Sequence, residues 1–318
     1  MPGLFTLRKR EEHSMHDIII VGGGPAGLTA AIYALRAGKS VLVIEKAGFG
    51  GQIAFSPKVE NIPGFGVIAG AEFADKLAEQ AINLGAEMEM ECVTGVEKTA
   101  EGFAVTTEEG SSFAGKAVIL ANGVKHRTLG LEGEQELIGK GISFCAVCDG
   151  AFYTGQDTAM IGGGNSALQE ALLLSEVCRS VTVVQNLPTF TGEQKLADAL
   201  MAKENVEVLF STVVSAYQSE NGMLTGLKLH NDATGEDSEI TVDGAFLAVG
   251  LQPENENFAH LCPLNQYGYY DVDEFCAAKT PGVFVAGDCR SKFIRQVVTA
   301  AGDAAIAAMG ACRYLDAL

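Results

Sequence analysis

The chain is short of cations. Its 22 lysines and arginines stand against 40 aspartates and glutamates, a formal net charge of −18. That balance excludes a protein held to nucleic acid or to an anionic membrane by nonspecific charge, so its partners are neutral or meet a local basic patch. Long hydrophobic runs are also missing. Nowhere do the ~20 apolar residues of a membrane span follow one another, and the opening MPGLFTLRKREEHSM has a basic cluster but no apolar h-region. These absences predict a soluble, cytoplasmic protein, with residues 1–14 as an extension ahead of Met15.

What is present suits a globular protein: 47% of residues are hydrophobic and 19% charged. A length of 318 residues is enough for about two domains, each with its own core. The eight cysteines (92, 145, 148, 178, 262, 276, 289 and 312) are an even number, yet a chain of this size without a signal peptide needs no disulfide framework. Only Cys145 and Cys148 stand in a motif. The others read as small buried hydrophobes.

DIIIVGGGPAGLTAAIYALRAGKSVLVIEK, residues 17–46, reads as strand, glycine turn, amphipathic helix and strand. Gly22, Gly24 and Gly27 fill G-x-G-x-x-G: the first for a tight turn, the second for backbone approach to a pyrophosphate, the third for close helix–strand packing. Glu45 ends the second strand, where a carboxylate can accept from ribose hydroxyls. The unit returns as DTAMIGGGNSALQEALLLSEVCRSVTVVQN, residues 157–186, at a constant offset of 140 that puts Ala167 for Gly27 and Gln185 for Glu45. The prediction is an α/β fold with two Rossmann-like (three-layer ββα) dinucleotide-binding domains, the second inserted in the first. Residues 15–125 and 250–318 form the outer domain and 126–249 the inner one.

GISFCAVCDGAFY, residues 141–153, carries C-x-x-C followed by Asp149. Two thiols at this spacing can close a small disulfide, local electrostatics can favour a thiolate, and the acid can take or give the exchanged proton. Half of a structural zinc site is the rival. No second C-x-x-C or H-x-H pair completes it, so no metal is expected.

GGGPAG, GGQI (50–53), ENIPGF (60–65), CAVCDG (145–150), GGGNSA (162–167), GVFVAGDCR and RQVVTAAGDAA (282–305) together resemble the low-molecular-weight thioredoxin reductases in order and spacing from Met15 onward. The resemblance implies FAD in the outer domain, held by Gly22, Gly24, Gly27, Glu45, Gln52, Asn61 and Asp288, with Gln296 and Val297 near the ring. It implies that Cys148 receives electrons from the flavin, that Cys145 attacks the disulfide of thioredoxin or a thioredoxin-like protein, and that Asp149 serves as acid and base. It further implies a homodimer and a rotation of one domain against the other.

One segment departs from that family. Members that use NADPH end the strand corresponding to 180–184 with a His-Arg-Arg type sequence, because a 2′-phosphate is best held by guanidinium forks. Here the chain reads Gln185, Asn186, Leu187, Pro188, Thr189, Phe190, with no cation until Lys195, and the carboxylate that NADH favours is missing too. The pattern resembles the ferredoxin-dependent flavin thioredoxin reductases, and makes reduced ferredoxin the expected donor. An acidic donor would need a local basic patch, drawn from Lys58, Lys125, His126, Arg127, Arg290, Lys292 and Arg295. Three alternatives stand beside this reading: direct reduction by NAD(P)H through other contacts, a flavin dithiol oxidase passing electrons to oxygen, and a flavin-binding scaffold, against which the intact Cys145, Cys148 and Asp149 argue.

Overall fold

The computed structural model describes residues 15–56 and 59–318. The extension read into residues 1–14, and Lys58 of the basic patch, lie outside the described residues. The apolar run of β1 (His16–Val21) is buried almost throughout, as a central parallel strand requires. After the glycine turn, α1 (Pro25–Arg36) begins on a proline, which has no N–H to leave unsatisfied. β2 (Val41–Ile44) pairs parallel with β1, α2 (Gly70–Asn83) follows, and β3 (Glu87–Glu89) adds a parallel edge to β2. β4 (Val93–Lys98), β5 (Phe103–Thr107) and β6 (Ser112–Leu120) form an antiparallel meander whose last strand runs parallel beside β1.

The chain leaves through β7 (Val124–His126) and returns through β16 (Leu251–Pro253), and these two short strands pair. Between them lie α3 (Glu134–Leu137), β8 (Ile142–Ser143), α4 (Ala146–Asp149), β9 (Asp157–Ile161), α5 (Asn165–Val177), β10 (Ser180–Val184), α6 (Gln194–Met201) and β11 (Val206–Leu209). β12 (Thr212–Glu220), β13 (Met223–Asn231) and β14 (Asp237–Thr241) form an antiparallel sheet, and β15 (Gly244–Leu247) closes a parallel sheet in the order β11-β10-β9-β15-β8. After the return, β17 (Val283–Val285) pairs parallel with the end of β6, and α7 (Val297–Asp316) packs on α1 through a stripe of alanines, which lets the two backbones approach closely.

The architecture is mixed α/β with two Rossmann-like sheets. The compact units are, first, residues up to Ile53 with Glu72–Val124 and Pro253–Leu318, and second, Ala54–Ala71 with Lys125–Gln252. The excursion 54–71 thus groups with the second unit. Among the described residues, no helix is long and apolar enough to cross a membrane.

Candidate functional site

In the first unit the glycine turn lies where β1, β6 and β17 end. Gly22 takes a left-handed φ of 107°, and a Cβ there would fall 2.4 Å from the carbonyl oxygen of Ala121. A Cβ on Gly27 would fall 1.8 Å from the carbonyl oxygen of Gly22, so the helix closes on the turn only with glycine. Gly24 is different. Its φ of −76° suits any residue, and a Cβ would find its nearest neighbour, the Cα of Gly51, 3.8 Å away. The protein's own packing therefore leaves space in front of the N-terminus of α1, where backbone N–H groups favour an anion.

Glu45 is fixed at the end of β2: its Oε2 accepts from the Gly23 N–H at 2.7 Å and its Oε1 from the Ala47 N–H at 3.0 Å. Gln52 donates its amide to the Val124 carbonyl. A Cβ on Gly287 would lie 2.8 Å from the Cβ of Ala26 and 3.9 Å from that of Ala300, so the segment before Asp288 rests against the starts of α1 and α7. Asp288 Oδ1 is buried with no hydrogen-bond partner among the described residues, and burial pushes its carboxyl up. An orphaned carboxylate oxygen there calls for a ligand hydroxyl, and with the turn and Glu45 it fits a dinucleotide such as FAD. Gln296 caps α7, its N–H donating to Thr299 Oγ1 at 3.1 Å, and Val297 is the first residue of that helix. The first unit thus brings together Gly22, Gly24, Gly27, Glu45, Gln52, Asp288, Gln296 and Val297. Asn61 lies in the 54–71 excursion, outside it.

The second glycine turn is organised differently. Gln185 is buried, and its amide donates to the Thr189 carbonyl at 3.0 Å, so it is committed to its own loop. That loop folds back: Thr191 and Gly192 N–H both donate to the Gly163 carbonyl, at 2.8 and 3.1 Å. Asn165, the first residue of α5, accepts from the Glu193 N–H at 2.6 Å, and its side-chain amide lies 3.4 Å from the Glu193 carboxylate. Where a phosphate would need cations, the structure places a carboxylate. Arg179, the nearest arginine before β10, is spent on Asp157, to which its Nε donates at 2.7 Å.

Cys145 and Cys148 form a disulfide, half-buried, with Val147 exposed between them. Cys145 caps α4, its sulfur accepting from the Cys148 N–H at 3.2 Å. Ser143 holds the turn from the other end, accepting from the Cys145 N–H at 3.1 Å and donating to Asp149 Oδ2 at 2.6 Å. Burial pushes the Asp149 carboxyl up, and its Oδ1 has no partner among the described residues. His126 stacks on Phe144, beside the disulfide, with ring centroids 4.6 Å apart, and burial drives its imidazole down to about 4.

One residue of this site escaped the sequence reading. Glu170, on α5, accepts from the Ala146 N–H at 2.9 Å, and burial pushes its carboxyl up to about 7. The signal was there: it interrupts the stripe Ala167, Leu168, Ala171, Leu174 that α5 buries. Some members of the basic patch are engaged within the protein. Arg290 and Lys292 each reach Asp303 at 2.7 Å with little exposure, Arg295 lies over the Tyr269 ring, and His126 is neutral near pH 7.

Comparison with known proteins agrees with this geometry. The pyridine nucleotide-disulphide oxidoreductase family matches residues 16–304. A thioredoxin reductase of Bacillus subtilis is 38% identical over 96% of this chain and 97% of its own, and a 34.2 kDa protein in a rubredoxin operon of Clostridium pasteurianum is 37% identical over 96% and 99%. The crystal structure of thioredoxin reductase from Streptococcus pyogenes superposes with a TM-score of 0.89 at 36% identity, covering 96% of this chain and 100% of that one. With a cradle that fits FAD and a dithiol motif in disulfide form, the chain belongs to the pyridine nucleotide-disulphide oxidoreductase family, as an FAD-binding oxidoreductase acting on a sulfur group.

Proposed function

We propose that the protein is a flavin-dependent thioredoxin-disulfide reductase, in which electrons pass from FAD to the Cys145–Cys148 pair and on to the disulfide of thioredoxin or a thioredoxin-like protein. The observation that carries this reading is the Cys145–Cys148 disulfide beside the buried, partly unpartnered Asp149. Bound FAD supplies a store that can fill one electron at a time and discharge a pair. Gly22, Gly24, Gly27, Glu45, Gln52 and Asp288 of the first unit would hold it, with Gln296 and Val297 near the ring; Asn61 is added by the family resemblance alone. Thioredoxin as substrate is supported by the relatives named thioredoxin reductase, and a homodimer is what the family resemblance implies.

The protein's own residues divide the work. Reduced Cys145 attacks the partner disulfide, forming a mixed disulfide and expelling one partner thiolate. Cys148 then attacks Cys145, the Cys145–Cys148 bond re-forms, and the partner leaves as a dithiol. Asp149, which keeps a proton more readily than an exposed aspartate, supplies the proton to the departing thiolate. Ser143 holds Asp149 and the Cys145 amide in one hydrogen-bonded unit. Cys145→Ser and Cys148→Ser variants should each lose thioredoxin reduction. Full electron transfer in either would overturn the dithiol route.

For the donor, the second glycine turn supports reduced ferredoxin over NADPH: Gln185 is committed internally, no cation follows it before Lys195, and Glu193 stands beside Asn165. Direct reduction by NAD(P)H has one observation in its favour. A Cβ on Gly164 would find its nearest neighbour 3.8 Å away, the same clearance that Gly24 leaves.

A further inference from the structure

The CxxC turn is gripped by two carboxyl groups, of which the proposed exchange chemistry uses only Asp149. Glu170 accepts from the N–H of Ala146, the residue joined to the Cys145 carbonyl, so its charge lies one residue from the Cys145 sulfur. It belongs to α5, while Asp149 and both sulfurs belong to α4 and its cap. The two carboxyl groups bear on each other: Glu170 is pushed up to about 7 by burial first, with the Asp149 charge adding to the same direction.

The surroundings give that charge little relief. Met160 from β9, Val181 and Val183 from β10, and Ala197 and Leu200 from α6 belong to the apolar cluster on the face that α5 buries. Asp157 of β9 is taken up by Arg179. Tyr153, on the turn after α4, packs edge-on against Phe246 and is pushed up to about 12, so it stays neutral. The charges that face one another across the turn are therefore Glu170, Asp149 and whatever negative charge the reduced sulfurs carry. Like charges in a poorly solvated site oppose one another.

We propose that Glu170 is a positioning residue of the dithiol: ionised, it anchors the redox turn through the Ala146 N–H and holds back formation of a thiolate at the reduced Cys145–Cys148 pair. The inference rests on the reading of that pair as redox-active. Reduction breaks the S–S bond and adds two electrons; both sulfurs end as thiols if two protons are taken up, and one remains a thiolate if only one is. Above neutral pH the Glu170 charge favours the two-proton outcome. Below it Glu170 is itself neutral, and the site tolerates a thiolate better than it otherwise would.

The test uses the full chain with FAD bound, reduced by dithiothreitol, which is oxidised to its own cyclic disulfide as the pair is reduced. After removal of excess reductant, the rate of alkylation by iodoacetamide is followed against pH, with the Cys145→Ser/Cys148→Ser double variant as blank for the other cysteines. Glu170→Gln keeps an acceptor for the Ala146 N–H and removes the charge. Its alkylation profile should shift to lower pH by about one unit, giving about tenfold faster alkylation at pH 7.5. A profile that superposes on that of the parent overturns the inference, because a purely structural role is satisfied by glutamine. The proton balance of the parent protein gives a second reading that needs no variant: dithiothreitol gives up two protons as it closes its ring, so close to no net proton release per disulfide reduced at pH 8 is expected, and close to one proton released overturns the inference. Failure of the functional reading looks different. A parent protein whose Cys145–Cys148 pair never passes electrons to thioredoxin sinks that reading whatever the alkylation profile.

Discussion

The side chain of Gln185 lies on Gly163, so close that a Cβ added to the glycine would fall 2.4 Å from the Gln185 carboxamide carbon. Glu45 lies against Gly23 in the same way, but its carboxylate accepts from the turn, whereas the Gln185 amide turns away to the Thr189 carbonyl. One fold, used twice, has kept its turn in both places and a carboxylate at the strand end in one.

A matched pair of alanines separates the two turns. Gly24 and Gly164 have φ values of −76° and −85°, and each leaves 3.8 Å to its nearest neighbour, so alanine folds at either position without strain. Gly24→Ala should cost at least about tenfold in FAD affinity, roughly 1.4 kcal/mol, read by flavin release on dilution. Gly164→Ala should leave thioredoxin reduction from the physiological donor within about twofold. A large loss in the second variant would mean that a nucleotide uses that turn.

Asp303 compensates two cations at once, Arg290 and Lys292, whose side chains are 12% and 8% exposed, and its Oδ2 also accepts from the Gly287 N–H at 3.2 Å. Asp303→Asn removes the charge with almost no change of shape. It should destabilise the protein by about 3–5 kcal/mol, read as a lower midpoint in denaturant. FAD should also be lost more readily, since the Gly287–Asp288 segment is tied to the same carboxylate.

Glu170 makes stability depend on pH with a definite sign. Its carboxyl titrates near 7 in the folded protein, above the ordinary glutamate range, so the folded state holds a proton that the unfolded state has released. The stability this contributes is complete below about pH 4 and is lost as pH rises through about 7. Glu170→Gln should therefore gain about 2–3 kcal/mol over the parent at pH 8 and little at pH 4. Equal effects at both pH values would contradict the assignment.

With a net charge of −18, and with Arg290 and Lys292 paired to Asp303, encounter with an acidic electron donor is repulsive on balance. Added salt screens that repulsion. The rate of flavin reduction by an acidic ferredoxin should rise as ionic strength increases from about 10 to about 200 mM. A steep fall would reveal an attractive basic surface formed by other residues.

What the sequence disclosed follows from how local each feature is. The glycine turns, Glu45 at a strand end and the Cys145–Cys148 spacing are set by residues close together in the chain, and their geometry follows from backbone sterics. Glu170 was legible only as an acid interrupting the apolar stripe of α5, because its bond to Ala146 depends on how α5 packs on α4. The quenching of Arg290 and Lys292 was hidden for the same reason: Asp303 lies a loop away, on α7. Gln185 was recognised as a missing acid, but its hydrogen bond to Thr189 depends on the fold of the loop after β10. The grouping of 54–71 with the second unit left no trace in periodicity.

The most direct test of the whole account is anaerobic. The oxidised protein, carrying FAD, is mixed in turn with NADPH, NADH and reduced ferredoxin, and flavin absorbance is followed together with the appearance of thiols at Cys145 and Cys148. The account predicts rapid bleaching and two new thiols with reduced ferredoxin, and slow or no change with either nicotinamide. Rapid bleaching by micromolar NADPH would contradict the donor assignment, and bleaching without new thiols would contradict the dithiol route.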